Sequence, residues 1–254
     1  LVDTAVKISE NTPDGTYGMT QMGTIQGLFQ VYVRQAGQDQ YKDGGAGFDL
    51  DTATAWFDWT KKLQDSGASP DASLSVEDAS KSMDQSFFAT GNVAMTVAWS
   101  NQVVAHDGLV PEGVLVLRPP SMTGSSADAQ LWYKASMYWA VSANASDPEA
   151  AVAFVDFLVN SPDAGKILSV ERGVPGNLTV REAIVADLDE ANTKAVDFLE
   201  AIESELGEAP EITPQGGGQF EDILTRAGED MLFGTITPDE AGQRVLDELD
   251  AALA

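Results

Sequence analysis

The side chains that carry out nucleophilic and metal-assisted catalysis are scarce in this sequence. It contains no cysteine and one histidine, His106, which excludes thiolate chemistry and zinc sites built on cysteines or several histidines. His106 lies just before Asp107-Gly108, where a surface histidine near a helix end is the simpler interpretation. The glycines of 44–47 lack the spacing and the following helix of a dinucleotide site. We therefore predict no cofactor, no metal site and no nucleophilic catalysis that depends on a thiolate or on a histidine base.

Acidic residues dominate the charged side chains. The chain has 40 Asp and Glu against 14 Lys and Arg, a formal net charge of −26 over 254 residues. Nucleic acids and anionic membranes are therefore excluded as partners, because binding them depends on clustered Lys and Arg. Neutral ligands, cations and basic protein surfaces remain open. Carboxylate pairs for glycoside hydrolysis also remain open, since so many acids make pairs unavoidable.

Hydrophobic periodicity indicates short strands separated by helices. Strands are predicted at 93–98, 114–117 and 138–142, and the chain from Asp147 onward is mostly helical. A capping box at Ser75 and Asp78 predicts a helix that continues to Gly91. The sequence thus predicts an α/β fold with a helical C-terminal third.

Other helix starts and the chain ends carry further signals. Thr237-Pro238-Asp239-Glu240 combines an N-cap, a proline at the first helical position and a capping-box glutamate. Trp56 and Trp59 have the spacing of a buried helix face. No apolar run is long enough to cross a bilayer. Because the chain starts at Leu1 in what reads as mid-sequence, we expect a fragment or a processed form.

Three stretches in order resemble the C-terminal portion of the extracellular solute-binding proteins of sugar ABC transporters, the family 1 proteins that include maltose-binding protein. The first is 87–99, with Gly-Asn-Val-Ala-Met, a strand and Trp99. The second, 138–158, contains a strand, Asp-Pro-Glu-Ala-Ala and a helix. The third combines Arg-Gly-Val-Pro-Gly-Asn at 172–177 with the late pattern of 233–241. Their order and spacing make the resemblance specific.

The resemblance implies a periplasmic-binding-protein-like (type II) α/β lobe that lacks the first part of the N-terminal lobe. Residues 1–135 would form an α/β segment of the C-terminal lobe, 136–189 a returning segment of the N-terminal lobe, and 190–254 a helical segment of the C-terminal lobe. It further implies a monomer outside the cell or in the periplasm, lipid-anchored in its full-length precursor. Such a protein captures a sugar or related neutral solute between two lobes, delivers it to ABC permease subunits and is itself not an enzyme.

Candidate ligand-binding residues are aromatic and polar side chains at a strand end, at the crossover, on a loop and at the start of the first long helix. Aromatic faces stack on the C–H patches of sugars, and α/β folds place ligands at strand ends. On strand alternation we expect Tyr138 to face outward and Trp139 to be packed. The complete set is Gln26, Phe29, Trp99, Trp132, Tyr133, Ser136, Met137 and Tyr138.

Two other classes of function remain open at this point. A secreted carbohydrate-active hydrolase would need two carboxyl groups about 5–10 Å apart in a cleft, one with a raised pKa. A non-transport carbohydrate sensor or adhesion module would show a large exposed apolar patch in place of an aromatic cleft.

Overall fold

The computed structural model describes residues 1–135 and 137–254, most of which are helical or in loops. The helices are α1 (Val2–Glu10), α2 (Gln26–Gln35), α3 (Leu50–Asp65), α4 (Ala72–Ala79), α5 (Val103–Leu109), α6 (Pro148–Asn160), α7 (Pro162–Leu168), α8 (Leu178–Val185), α9 (Glu190–Ile202), α10 (Phe220–Leu232) and α11 (Pro238–Leu253). Strands β1 (Tyr41–Lys42) and β2 (Gly45–Ala46) form an antiparallel hairpin that pairs Tyr41 with Ala46. Short 3₁₀ turns lie at Met83–Gln85, Ser100–Gln102, Ser126–Asp128, Glu203–Glu205 and Gly217–Gln219.

The chain folds as two compact units. Unit 1 consists of Leu1–Val97, Arg118–Trp132 and Glu205–Ala254, and unit 2 of Ala98–Leu117 and Tyr133–Ser204. Unit 1 contains α1–α4, the hairpin, α10 and α11, and unit 2 contains α5–α9. The boundaries predicted after residues 135 and 189 differ from the boundaries of these two units. The assignment of the predicted ranges to lobes stays a prediction.

An aromatic core holds unit 1 together. Phe29 of α2, Trp56 and Phe57 of α3 and Phe220 of α10 are fully buried. The rings of Phe29 and Trp56 meet edge to face, with centroids 5.6 Å apart. Burying such a side chain contributes about 1.5–3 kcal/mol. The prediction that Trp56 and Trp59 belong to the core is confirmed, since Trp59 packs against the same cluster.

Helices α3 and α11 approach closely because a glycine lies between them. A Cβ at Gly242 would lie 2.9 Å from the Thr54 hydroxyl and 3.0 Å from the Thr54 amide nitrogen. The absence of a side chain on α11 therefore permits the contact, and Val245 and Leu249 complete the buried face of this helix.

Local caps start most of the long helices. The capping box at Thr237 and Glu240 is confirmed, with the Thr237 hydroxyl accepting from the Glu240 amide and the Glu240 carboxylate from the Thr237 amide. The predicted capping box at Ser75 is wrong: α4 begins at Ala72, and its N-cap is Asp71, which accepts from the Leu74 amide at 2.9 Å. Asp78, inside α4, instead accepts a bond from the Phe87 amide. The helix ends at Ala79, so the prediction that it continues to Gly91 is wrong.

The three predicted strands are not formed as expected. In the described residues, 114–117 and 138–142 are not assigned to any strand, and 93–98 contributes one parallel bridge between Val93 and Tyr17. The Ala94 amide donates to the Tyr17 carbonyl and the Thr20 amide to the Met95 carbonyl, both at 3.0 Å. A strand requires a ladder of such bonds to a neighbour, and residues 93–98 form only this short one.

Unit 2 has a smaller core and a more exposed apolar surface. Val170, Ile184 and Val196 form its buried cluster. Helix α6 has no buried residue, although its sequence is the apolar PEAAVAFVDFLVN. Its exposed large side chains are Val152, Phe154, Phe157 and Val159. Across residues 1–135 and 137–254, no helix combines the length and apolar character required to cross a bilayer.

Candidate functional site

Trp99 of unit 2 has a fixed backbone and a half-exposed ring. It precedes the 3₁₀ turn Ser100–Gln102, and its amide donates to the Gln102 side-chain carbonyl at 2.9 Å. The Gln102 amide in turn donates to the Trp99 carbonyl at 2.8 Å. The residue is nevertheless 46% exposed. This combination exposes part of an aromatic ring on a hydrogen-bonded stretch of backbone, and an aromatic face can stack on a ligand.

A lysine lies against this ring. The ammonium nitrogen of Lys134 is 4.4 Å from the centroid of the Trp99 ring, within the range of a cation–π contact. Lys134 is exposed, as is its neighbour Tyr133. Two of the predicted site residues, Trp99 and Tyr133, are thus brought to one region of unit 2 through Lys134.

The segment that follows Lys134 exposes further large side chains. Tyr138 is 85% exposed, in agreement with the expectation that it faces outward, and Met137 is also exposed. Trp139 is 46% exposed, so the expectation that it is packed is wrong. That expectation assumed a strand in a sheet, and without a sheet no layer covers alternate side chains. The predicted site residue Ser136 lies outside the described residues.

A second cation contacts this segment. The Arg172 Nη1 atom lies 3.9 Å from the Met137 sulfur. Arg172 also pairs with its sequence neighbour Glu171 at 3.8 Å, with both side chains exposed, and such an exposed pair is weak. The guanidinium therefore remains available at the surface beside Met137.

Trp132 belongs to unit 1, where an arginine packs on its ring. The Arg34 guanidinium carbon lies 5.0 Å from the Trp132 centroid. Arg34 Nη2 also donates to the Glu208 carbonyl at 2.6 Å, and the arginine side chain is 9% exposed. Trp132 is half-buried. Its ring is thus held in place from the side of α2.

The two predicted residues of α2 have different surroundings. Gln26 is half-buried at the first position of the helix. Phe29 is fully buried, with its ring 5.0 Å from Phe48 and 5.4 Å from Phe220. A side chain with no accessible surface cannot stack on a ligand, so Phe29 is a core residue, and we correct its predicted role accordingly.

Sequence reasoning did not include Lys134 among the functional residues. A signal was nevertheless present, because Lys134 is the only charged residue in 133–146 of a chain in which 40 of 254 residues are acidic. Lys134 was missed because its contact with Trp99 joins residues that are distant along the chain.

Two titratable residues of unit 2 outside this region, His106 and Asp107, have surroundings that indicate a structural role. Burial lowers the pKa of His106, since it disfavours the charged imidazolium. Hydrogen bonds from Lys194 and from the Val114 amide lower the pKa of Asp107, whose carboxylate lies 2.8 Å from the Lys194 ammonium. Over the described part of the chain, no group of three or more His, Cys, Asp or Glu side chains is placed to hold a metal ion.

Two shallow surface depressions lie elsewhere. One is lined by α3 residues and Pro238, among them Lys61, Lys62 and Asp65. The other is lined by α6 residues, among them Val152 and Asp156. Neither contains a predicted site residue, so the exposed aromatic side chains of unit 2 remain the best-supported candidates.

Comparison with known proteins connects these features to a family. The family model described as "Bacterial extracellular solute-binding protein" matches residues 1–164. A solved extracellular solute-binding protein family 1 from Alicyclobacillus acidocaldarius is 21% identical, with a TM-score of 0.81 over 99% of this chain and 63% of its own.

Two further solved structures are similar to this chain. A periplasmic oligogalacturonide binding protein from Yersinia enterocolitica, in complex with saturated digalacturonic acid, is 18% identical, with a TM-score of 0.83 over 99% of this chain and 64% of its own. An ABC substrate-binding protein from Listeria monocytogenes, in complex with cycloalternan, is 16% identical, with a TM-score of 0.71 over 98% of this chain and 61% of its own. The predicted periplasmic-binding-protein-like fold is confirmed, and the chain spans less than two thirds of these proteins.

Proposed function

Because the chain belongs to the bacterial extracellular solute-binding protein family, we propose that it is the substrate-binding component of an ABC importer. Its ligand is a sugar or an oligosaccharide, which it delivers to permease subunits. The family description specifies binding of a solute and no reaction. The ligands of the Yersinia and Listeria proteins support a carbohydrate.

The observation that carries the proposal is the half-exposed ring of Trp99 on a backbone held by Gln102. A residue whose backbone is already held is favourable for stacking on a sugar, because ordering a side chain or loop on binding lowers the affinity. Tyr133, Met137 and Tyr138 add exposed surface in the same unit. Gln26, Trp132 and Ser136 stay in the proposal as further contacts.

The family description supports a place of action. The family is described as extracellular, which supports a location outside the cytoplasmic membrane, in the periplasm or at the cell surface. A lipid anchor on the full-length precursor and capture by closure of two lobes are part of the proposal. In such a mechanism the ligand stabilises the closed population by its higher affinity for that state.

Calorimetric titration of the whole gene product with a panel of oligosaccharides tests the proposal. We expect one or more of them to bind, and Trp99→Ala to weaken that binding at least about tenfold, equivalent to about 1.4 kcal/mol. Phe233→Ala is the matched control, because Phe233 is an exposed aromatic residue of unit 1 outside the proposed site. Unchanged affinity in Trp99→Ala would remove this residue from the site, and no binding by any carbohydrate would contradict the function.

One observation favours a second candidate, the non-transport sensor or adhesion module. Helix α6 exposes Val152, Phe154 and Phe157, which is the kind of apolar surface that such a module presents to a partner. Uptake of the radiolabelled ligand by a strain lacking the gene distinguishes the two. Loss of uptake supports the importer, whereas normal uptake supports the module.

A further inference from the structure

The region of unit 2 around Trp99, proposed above to contact the ligand, has a charge opposite to that of the chain. Residues 98–106 contain no Asp, Glu, Lys or Arg, and in 133–146 the only charged residue is Lys134, although the whole chain carries a net charge of −26. The aromatic surface around Trp99 is therefore built from stretches without a carboxylate. Neither stretch supplies a carboxylate that would repel an anionic ligand.

The positive charge in this region has a defined position. The Lys134 ammonium lies 4.4 Å from the Trp99 centroid, so the ring restricts a side chain that is otherwise flexible. Within the described residues, Lys134 has no carboxylate at ion-pair distance, whereas Lys61, Lys81 and Lys194 each have one. Lys134 is thus an exposed cation without a carboxylate partner among the described residues.

A second cation extends the positive region. Arg172 contacts Met137, three residues after Lys134, and its carboxylate partner Glu171 is an exposed neighbour at 3.8 Å. At physiological ionic strength, screening limits charge interactions in solvent to about 8 Å. Acids farther than this from Lys134 and Arg172 therefore contribute little to the field at either cation.

From this arrangement we infer that the ligand is an acidic sugar, a uronic acid or an oligosaccharide containing one, whose carboxylate pairs with Lys134 while a sugar ring stacks on the neighbouring aromatic side chains. This inference rests on the proposed function and specifies its substrate class. An ammonium–carboxylate pair is a charge-assisted hydrogen bond, stronger than one between neutral groups. Lys134 is then the residue that distinguishes a uronate from the corresponding neutral sugar.

The test uses matched carbohydrate pairs and the whole gene product. The panel consists of oligomers of glucose, galactose and mannose and of the three corresponding uronic acids, titrated by calorimetry. We expect a uronic acid oligomer to bind at least about tenfold more tightly than its neutral counterpart, as expected for a hydrogen bond to a charged group. Tightest binding of a neutral oligomer would overturn the inference and leave the proposed function standing. Absence of all binding would overturn both.

Substitutions at Lys134 provide the second arm. Lys134→Met removes the ammonium and keeps an apolar side chain of similar length, and we expect it to weaken uronate binding about tenfold or more with little effect on a neutral oligomer. Lys134→Arg keeps the charge and retains most of the affinity. Lys42→Gln, in the hairpin of unit 1, removes the same charge elsewhere and serves as the control. Equal losses for uronate and neutral ligands in Lys134→Met would show a structural role and contradict the inference.

Discussion

The Nε–H of Arg118 donates to both carboxylate oxygens of Glu205, at 3.0 and 2.8 Å. Arg118 begins the second segment of unit 1 and Glu205 begins the third. Close by, the Gly207 amide donates to the Leu131 carbonyl at 2.8 Å. The two segments that return to unit 1 are thus tied to each other near the points where the chain enters or leaves this unit.

The pH dependence of stability offers a test of this ion pair. The hydrogen bond from Arg118 lowers the pKa of Glu205. Its folded-state pKa lies below that of the unfolded chain, so its stabilisation is present above the unfolded value and is lost as the pH falls through the folded value. We expect Glu205→Gln to lower the urea midpoint slightly at pH 7 and to have less effect near pH 3. The control is Glu211→Gln, an exposed acid of the same unit, and an identical pH profile for the two variants would contradict this role.

Replacement of Phe29 distinguishes a core residue from a ligand contact. Phe29→Ala removes a fully buried ring that contacts Phe48, Trp56 and Phe220, and we expect it to lower the free energy of unfolding by about 3–5 kcal/mol. The folded fraction keeps its ligand affinity. Urea denaturation followed by far-UV circular dichroism measures the loss. A variant of normal stability with weakened ligand binding would restore Phe29 to the site.

Removing the guanidinium of Arg34 should alter the environment of Trp132. Arg34→Met keeps the aliphatic stem but loses the cation above the ring and the bond to the Glu208 carbonyl. We expect a destabilisation of about 1–3 kcal/mol and a shift in tryptophan emission. The shift should vanish when the same substitution is made in Trp132→Phe. Its persistence there would assign it to another tryptophan.

Glycine substitutions on two helices should have opposite effects. In Gly242→Ala the new methyl group meets Thr54 at 2.9 Å, and we expect this overpacking to cost about 1–3 kcal/mol. In Gly108→Ala, within α5, the new methyl group has no atom within 4 Å. That change should stabilise the chain by about 0.5–1 kcal/mol, the helix preference for alanine over glycine. Thermal unfolding of both variants measures the difference, and equal midpoints would contradict the close packing of α3 and α11.

The sequence predicted those features that depend on neighbours along the chain. The capping box at Thr237 formed as predicted, because a cap uses side chains and amides within one turn. The order of short motifs pointed to the family for the same reason, since each motif is contiguous. Even so, the N-cap of α4 is Asp71 and not the predicted Ser75, because several residues in that stretch can act as an N-cap.

The sequence by itself determined which chemistry is open to this protein. The lack of cysteine, the single histidine and the net charge of −26 are properties of composition, and no fold can alter them. The tertiary structure decided which of two aromatic residues is available to a ligand, since Phe29 is buried and Trp99 is half exposed. It also decided that Lys134 lies against Trp99. Burial and contacts between distant residues depend on how the chain packs, and local sequence patterns do not encode that packing.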